Sequence, residues 1–467
     1  MNGDARKLPI GVQTFAEFGG RLLYVDKTVF IAEMISEFGT KAWFLARPRR
    51  FGKSLLISTM VALFSGQREL FKGLAIEKRL GEEIFAPRPV ISLDMALVTN
   101  FLGIEEFQKS LGRVTSSSAI WREDEKASGS SISSPAGPSA FTRDPTLPCG
   151  EILSELIKDL SIRAGRRVAV LIDEYDKPYL DLIKKPEEAE KVRVTMRDYY
   201  TRLKSLDQYI SFIFITGISK FSRMGVFSAM NNLRDISISP KYAALCGFTH
   251  EELAGQFGEK LDEAASRLGK KRDGLLAELR DYYNGFSFDG ETRVYNPFST
   301  LLFLAEKRFD NFWFDTGTSR IIAQYIKDKS LTVEEFRGID VSRSFAKNPG
   351  EIDTATPASF FYQAGYLSLR PGLSEDFFTL DYPNREVYES MSRLLVENFV
   401  GGNAVASAKF ANLLKALGSG DAKTLIGEFR KFLALIPYDV YARANRKMII
   451  VGNSEIDFGE WLYHANL

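Results

Sequence analysis

The stretch at residues 42–58, A-W-F-L-A-R-P-R-R-F-G-K-S-L-L-I-S, constrains the rest of the chain most. An apolar run at 43–46 breaks at a basic turn containing Pro48, and Gly52-Lys53-Ser54 opens a segment with helical spacing of Leu55, Leu56, Met60 and Leu63. Strand, loop and helix in this order suit phosphate binding. Loop N–H groups and the positive end of the helix face an anion, Lys53 reaches the β- and γ-phosphates, and the Ser54 hydroxyl meets Mg²⁺. The usual pattern G-x-x-x-x-G-K-[ST] has glycine where this chain has Arg47, so the turn forms without that freedom. Arg47, Arg49 and Arg50 add positive charge that can neutralise a triphosphate.

A second stretch supports this reading. Residues 168–172, V-A-V-L-I, form an uninterrupted apolar run, as expected of a strand buried on both faces, and end in Asp173-Glu174-Tyr175-Asp176. Two carboxylates at the end of such a strand, downstream of a phosphate loop, can divide the work of a nucleotide hydrolase: Asp173 for Mg²⁺ and Glu174 to polarise water. An acidic turn capping a core strand is the plainer alternative.

L-P-I-G-V-Q-T-F at 8–15, Y-V-D-K-T at 24–28, R-P-R-R-F-G-K-S at 47–54, L-I-D-E-Y-D-K-P at 171–178, and T-G-I-S-K-F-S-R with N-N-L-R-D-I-S within 216–237 occur in that order. With Y-N-G-F-S-F, V-Y-N-P-F-S and F-F-Y-Q-A-G-Y-L, they carry a resemblance to the predicted AAA-ATPase-like family as far as about residue 390. In that family the arginine-rich loop is the usual form. The resemblance implies ATP binding and hydrolysis without supplying a biological role.

With 61 basic and 60 acidic side chains, global charge gives no drive toward nucleic acid or an anionic membrane. Two cysteines, Cys149 in a polar linker and Cys246 in an apolar context, support neither a disulfide framework nor a cysteine zinc site. His250 and His464 lie far apart. The first residues lack the apolar core of a signal peptide, and no apolar run approaches the roughly 20 residues needed to span a bilayer. A cytoplasmic location is the expectation.

The chain of 467 residues, 45% apolar, can hold two or three domains. The expected fold class is α/β: a P-loop NTPase with a parallel five-stranded sheet sandwiched by helices, then a helical lid and winged-helix-like or helical C-terminal modules. The strands are expected at 43–46, 89–95, 168–172, 209–216 and, as a short edge, 236–238. Boundaries follow at 1–245 for the ATPase-like domain, 246–345 for the lid and 346–467 for the remainder. Residues 115–148, dense in Ser, Gly and Pro, read as a flexible insertion. Thr249 and Glu252 can form a capping box, and Pro297 fits the first turn of a helix. A helix at 358–364 followed by a hairpin resembles the end of a winged helix, serving either as packing or as a DNA or docking element. Further helices are expected at 387–400, 406–417 and 422–435. Many relatives begin a PD-(D/E)XK nuclease domain in the last stretch. Here Glu455-Ile456-Asp457 is followed by no Glu-x-Lys, so that core reads as missing or degenerate.

The nucleotide-binding candidates are Arg47, Arg49, Arg50, Phe51, Gly52, Lys53, Ser54 and Leu55. Tyr24 or Phe30 is expected either to stack on adenine or to belong to a helix packed at the sheet edge. Ser54 and Asp173 are the metal candidates. Lys53, Glu174 and Thr216 are the catalytic ones, Thr216 sensing the γ-phosphate from the end of its strand, with Ser219, Lys220 and Arg223 just beyond. Arg223 or Arg234 is the candidate arginine finger, in cis or across a homo-oligomer. The leading reading is an ATP-binding protein whose Mg²⁺-dependent hydrolysis drives domain motion. A nucleotide-gated switch acting on a protein partner, and a DNA-associated defence or mobile-element protein, are the alternatives.

Overall fold

A computed structural model describes residues 6–99, 101, 103–121, 147–182, 185–220, 227, 230, 232–313, 336–349, 356–399, 424, 426 and 427. The chain divides into two compact units, Met1–Trp313 with Phe336–Val387, and Phe314–Glu335 with Tyr388–Leu467. The first unit runs through both expected domain boundaries, residues 245 and 345. In the second, residues 388–399 continue the helix Arg385–Phe399. The helices expected at 406–417 and 422–435, the carboxylates Glu455 and Asp457, and most of the 115–148 insertion lie outside the described residues.

Six strands, numbered here in chain order, form the main sheet of the first unit. They are β1 (Ala42–Ala46), β2 (Val90–Asp94), β3 (Ala119–Ile120), β4 (Val168–Asp173), β5 (Ile210–Gly217) and β6 (Leu233–Asp235). Their order is β3-β2-β4-β5-β1-β6. All pairs are parallel except β2 with β3. β1 and β4 are buried along their whole length, which is why their sequences lack the polar alternation of a half-exposed strand. Side chains still alternate between faces. Val170 and Ile172 join a core with Phe107, Leu153 and Met196 from the helices Ile104–Ser116, Cys149–Ala164 and Pro186–Ser205. On another part of the sheet, Phe212 meets Phe64 of the helix Lys53–Phe64 at 5.1 Å.

Five expected strands become six. β3 falls inside the stretch read as an insertion, where the helix Ile104–Ser116 also ends. It covers the outer edge of β2, the Ser92 amide donating to the Ser118 carbonyl at 2.9 Å, and so protects a row of unpaired backbone groups. The edge strand is 233–235 rather than 236–238. Asp235 Oδ1 accepts from the Ser237 amide (2.9 Å) and hydroxyl (2.6 Å), a local turn that ends the strand there. Cys149, placed by sequence in a polar linker, opens a helix and is buried.

Beyond the sheet, helices His250–Gln256, Gly258–Arg267, Arg272–Tyr283 and Pro297–Glu306 share an apolar cluster that includes Leu253, Leu261, Leu279 and Leu304. The first begins with the expected capping box of Thr249 and Glu252. Pro297 occupies the first turn of the last helix, which Asn296 caps. A small hairpin, β7 (Phe286–Ser287) with β8 (Arg293–Val294), precedes it. The helix Pro357–Ala364 leads, as expected, to a hairpin of β10 (Ser368–Pro371) and β11 (Phe377–Asp381). An unexpected third strand, β9 (Ile339–Ser342), pairs antiparallel with β11. Among the described residues no helix is long and apolar enough to cross a membrane.

Candidate functional site

β1 delivers the loop at residues 47–52 to the C-terminal edge of the sheet, and Gly52, at φ +88°, turns the chain into the helix that starts at Lys53. That left-handed conformation is open to glycine without cost. The Lys53 ammonium is buried and donates to the carbonyls of Arg47 (3.0 Å) and Pro48 (2.9 Å). Burial lowers its pKa, opposed by the charges of Asp173, Asp176 and Glu174 among others. The loop lysine and the β4 carboxylates therefore share one electrostatic site, although β5 separates their strands.

Asp173 ends β4 and accepts the Glu174 amide at 2.9 Å. Glu174 itself lies at φ +48°, an uncommon backbone for a residue with a side chain. Burial raises its pKa, the Asp173 charge adds to the rise, and Lys53 opposes it. Sequence reasoning left Asp94 without a role, yet the register of β2 on β4 sets it opposite Asp173. Its pKa is likewise raised, first by burial and further by Asp173. The only signal in the sequence was its place at the end of an apolar run.

Asp176, the last carboxylate of the acidic stretch, is buried and accepts from the Ser219 amide (2.7 Å), the Ser219 hydroxyl (2.6 Å) and the Ile218 amide (3.1 Å). It ties the turn after β4 to the end of β5. Thr216 is buried on β5, and its hydroxyl donates to the Leu45 carbonyl of β1 at 2.8 Å. Lys220 is also buried, 3.4 Å from Asp235 and 3.2 Å from the Ala346 carbonyl.

The arginines separate. Arg47 is 1% exposed; its guanidinium donates to the carbonyls of Ala46 (2.9 Å), Ser237 (2.7 Å) and Tyr242 (3.1 Å) and lies 3.8 Å from the centre of the Phe288 ring. Burial pulls its pKa down to about 10. The expected neutraliser of phosphate charge thus sits inside the protein. Arg49 is half-buried, whereas Arg50 is exposed, at φ +66°, with its guanidinium 4.6 Å from the Phe298 ring centre. Phe51 is buried against Phe286 (4.8 Å) and Phe288 (5.7 Å); full burial of such a ring contributes about 1.5–3 kcal/mol. Ser54 and Leu55 are half-buried in the first helical turn.

Tyr24 packs against Phe15 and Phe18, both at 5.2 Å, with its hydroxyl near Thr59 of the helix after the loop. Phe30 is 6.3 Å from Tyr242. Arg234 pairs with Glu37 and stacks over Trp43, while Arg223 lies outside the described residues. Among the described residues no group of three or more His, Cys, Asp or Glu is arranged to hold a metal.

A family model described as Predicted AAA-ATPase matches residues 9–227. An "Uncharacterized protein in vnfD 5'region" of Azotobacter chroococcum mcd 1 is 34% identical over 445 residues, covering 93% of this chain and 79% of that protein. Among solved structures, the Aeropyrum pernix ORC2 protein in its ADPNP-ADP complexes matches over 79% of this chain and 92% of that one, at 11% identity and a TM-score of 0.25. The chain belongs to the predicted AAA-ATPase family.

Proposed function

We propose that this member of the predicted AAA-ATPase family binds ATP with Mg²⁺ at the loop and helix start from Arg49 to Leu55 and hydrolyses it. The observation that carries the reading is the buried Lys53 at a helix N-terminus, in the field of Asp173, Glu174 and Asp176. A nucleotide phosphate competes well for the lysine, because a charged acceptor forms a stronger bond than the two loop carbonyls it now contacts. The Ser54 hydroxyl and the Asp173 carboxylate are hard oxygen donors of the kind Mg²⁺ takes, and this ion commonly completes its shell with phosphate and water rather than a protein cage. Bound there, it would neutralise charge on the β- and γ-phosphates. Glu174 then serves as the base that takes a proton from the attacking water, its raised pKa bringing it closer to neutral pH. Arg47 acts from behind, holding the loop rather than touching phosphate.

The internal bond of Thr216 favours a second reading. Its hydroxyl is committed to the Leu45 carbonyl, so sensing the γ-phosphate requires that bond to exchange. A protein in which it does not exchange would hold ATP as a switch with negligible turnover and act through a protein partner or a second copy of itself. In the hydrolytic reading, turnover drives domain motion. Two free cysteines, both buried, suit a cytoplasmic location.

Binding of a non-hydrolysable ATP analogue, measured with and without Mg²⁺ and followed by single-turnover hydrolysis, tests the proposal. No binding removes the reading; tight binding with no hydrolysis converts it to the switch.

A further inference from the structure

The phosphate loop has Arg47 in place of its first glycine and carries Arg50 at φ +66°. A left-handed backbone at such a residue persists where its surroundings over-determine it. Each residue from 47 to 51 has a neighbour in the segment 286–366. Phe288 covers the Arg47 guanidinium, Phe298 that of Arg50, and Phe286 packs on Phe51. Gly365 approaches Pro48 so closely that a Cβ on the glycine would come within 2.6 Å of the proline Cβ. Trp313 reaches the main chain: its Nε1–H donates to the Arg49 carbonyl at 3.1 Å. The indole is itself fixed, packed on Tyr366 (5.0 Å) and Phe286 (5.9 Å), while the Trp313 amide donates to Glu386 Oε1 at 2.7 Å.

A trans peptide points its carbonyl and its N–H in opposite directions. Holding the Arg49 carbonyl toward the indole therefore directs the Arg50 N–H away from Trp313, at a residue that is itself exposed. We propose that Trp313 is a positioning residue for nucleotide binding: by bonding the Arg49 carbonyl it presents the Arg50 N–H to phosphate, substituting for backbone freedom the loop lacks. This rests on the ATP-binding reading above.

Trp313→Phe keeps a packed ring and removes the donor. In the full chain, affinity for a non-hydrolysable ATP analogue with Mg²⁺, titrated well below the thermal midpoint, should fall about three- to tenfold, the scale of one neutral hydrogen bond. The midpoint without nucleotide should fall by no more than the loss of one neutral hydrogen bond brings. Trp313→Leu, which loses ring and donor, should weaken binding no less. Unchanged affinity in Trp313→Phe overturns the positioning role while leaving the ATP reading intact. A loss seen only in Trp313→Leu, together with a lowered midpoint, assigns the tryptophan to packing and also overturns it. A parent that binds no analogue sinks both proposals.

Discussion

Residues 47–51 and residues 52–55 belong to one motif, yet they face different tasks. Arg47 and Lys53 are both buried cations whose N–H groups meet backbone carbonyls. Arg47 is enclosed by carbonyls from β1 and the 237–242 turn and by an aromatic face, an arrangement that spends its planar fork on the protein itself. Among the described residues, Lys53 hydrogen-bonds only to its own loop, and it lies in the field of the carboxylates at the end of β4. The contrast teaches that positive charge in a phosphate-loop sequence need not face phosphate. A planar, five-donor cation suits fixing several carbonyls at once, whereas a compact ammonium on a flexible stem can change partners when an anion arrives.

The largest effect is expected on the chemical side of this contrast. Glu174→Gln should leave ATP affinity near that of the parent while cutting single-turnover hydrolysis on the order of 10²-fold or more. Equal turnover in the two proteins would remove Glu174 from the mechanism. The pH profile sharpens the test. A base works in its ionised form, and burial with the Asp173 charge raises the Glu174 pKa, so turnover should climb with pH along a limb displaced above the ordinary carboxylate range. Glu174→Gln should lose that limb.

Arg47→Ala and Lys53→Ala then set the two cations against each other. Removing Arg47 strips donors from three carbonyls and should cost about 3 kcal/mol of stability, read as a lower denaturant midpoint. Lys53→Ala should weaken ATP-analogue binding by about 1.5–3 kcal/mol, roughly tenfold or more, with a smaller change in unfolding. If the variants exchange these phenotypes, the division of labour is reversed. Smallest is Thr216→Val, which deletes the bond to the Leu45 carbonyl and should cost about 1 kcal/mol of stability. Turnover unchanged by this variant identifies Thr216 as a strand-to-strand tie; turnover lost with affinity kept identifies a γ-phosphate sensor.

Much of the sheet is legible because buried parallel strands must be apolar on both faces, and the runs in β1, β4 and β5 are unmistakable. The short β3 is not: two residues of ordinary composition pair only because β2 offers an open edge. The motif Y-V-D-K-T shows a related limit. Asp26 accepts from the Thr28 and Ala75 amides and so ties two helix starts together, and Lys27 pairs with Glu252 at 2.6 Å. Their partners lie 49 and 225 residues away, beyond the reach of local pattern.

The sequence by itself determined the strand-loop-helix unit, the position of Lys53 at its helix start, and the carboxylates ending β4, because local rules of burial, turn formation and helix polarity act on neighbouring residues. Tertiary structure decided which charges face outward. Arg47 is drawn inside by carbonyls at 237 and 242 and by the Phe288 ring, Asp94 is brought beside Asp173 by strand register, and Trp313 reaches the loop from 264 residues away. Each of these depends on where another part of the chain comes to lie, and a buried polar group takes whatever partner the packing supplies.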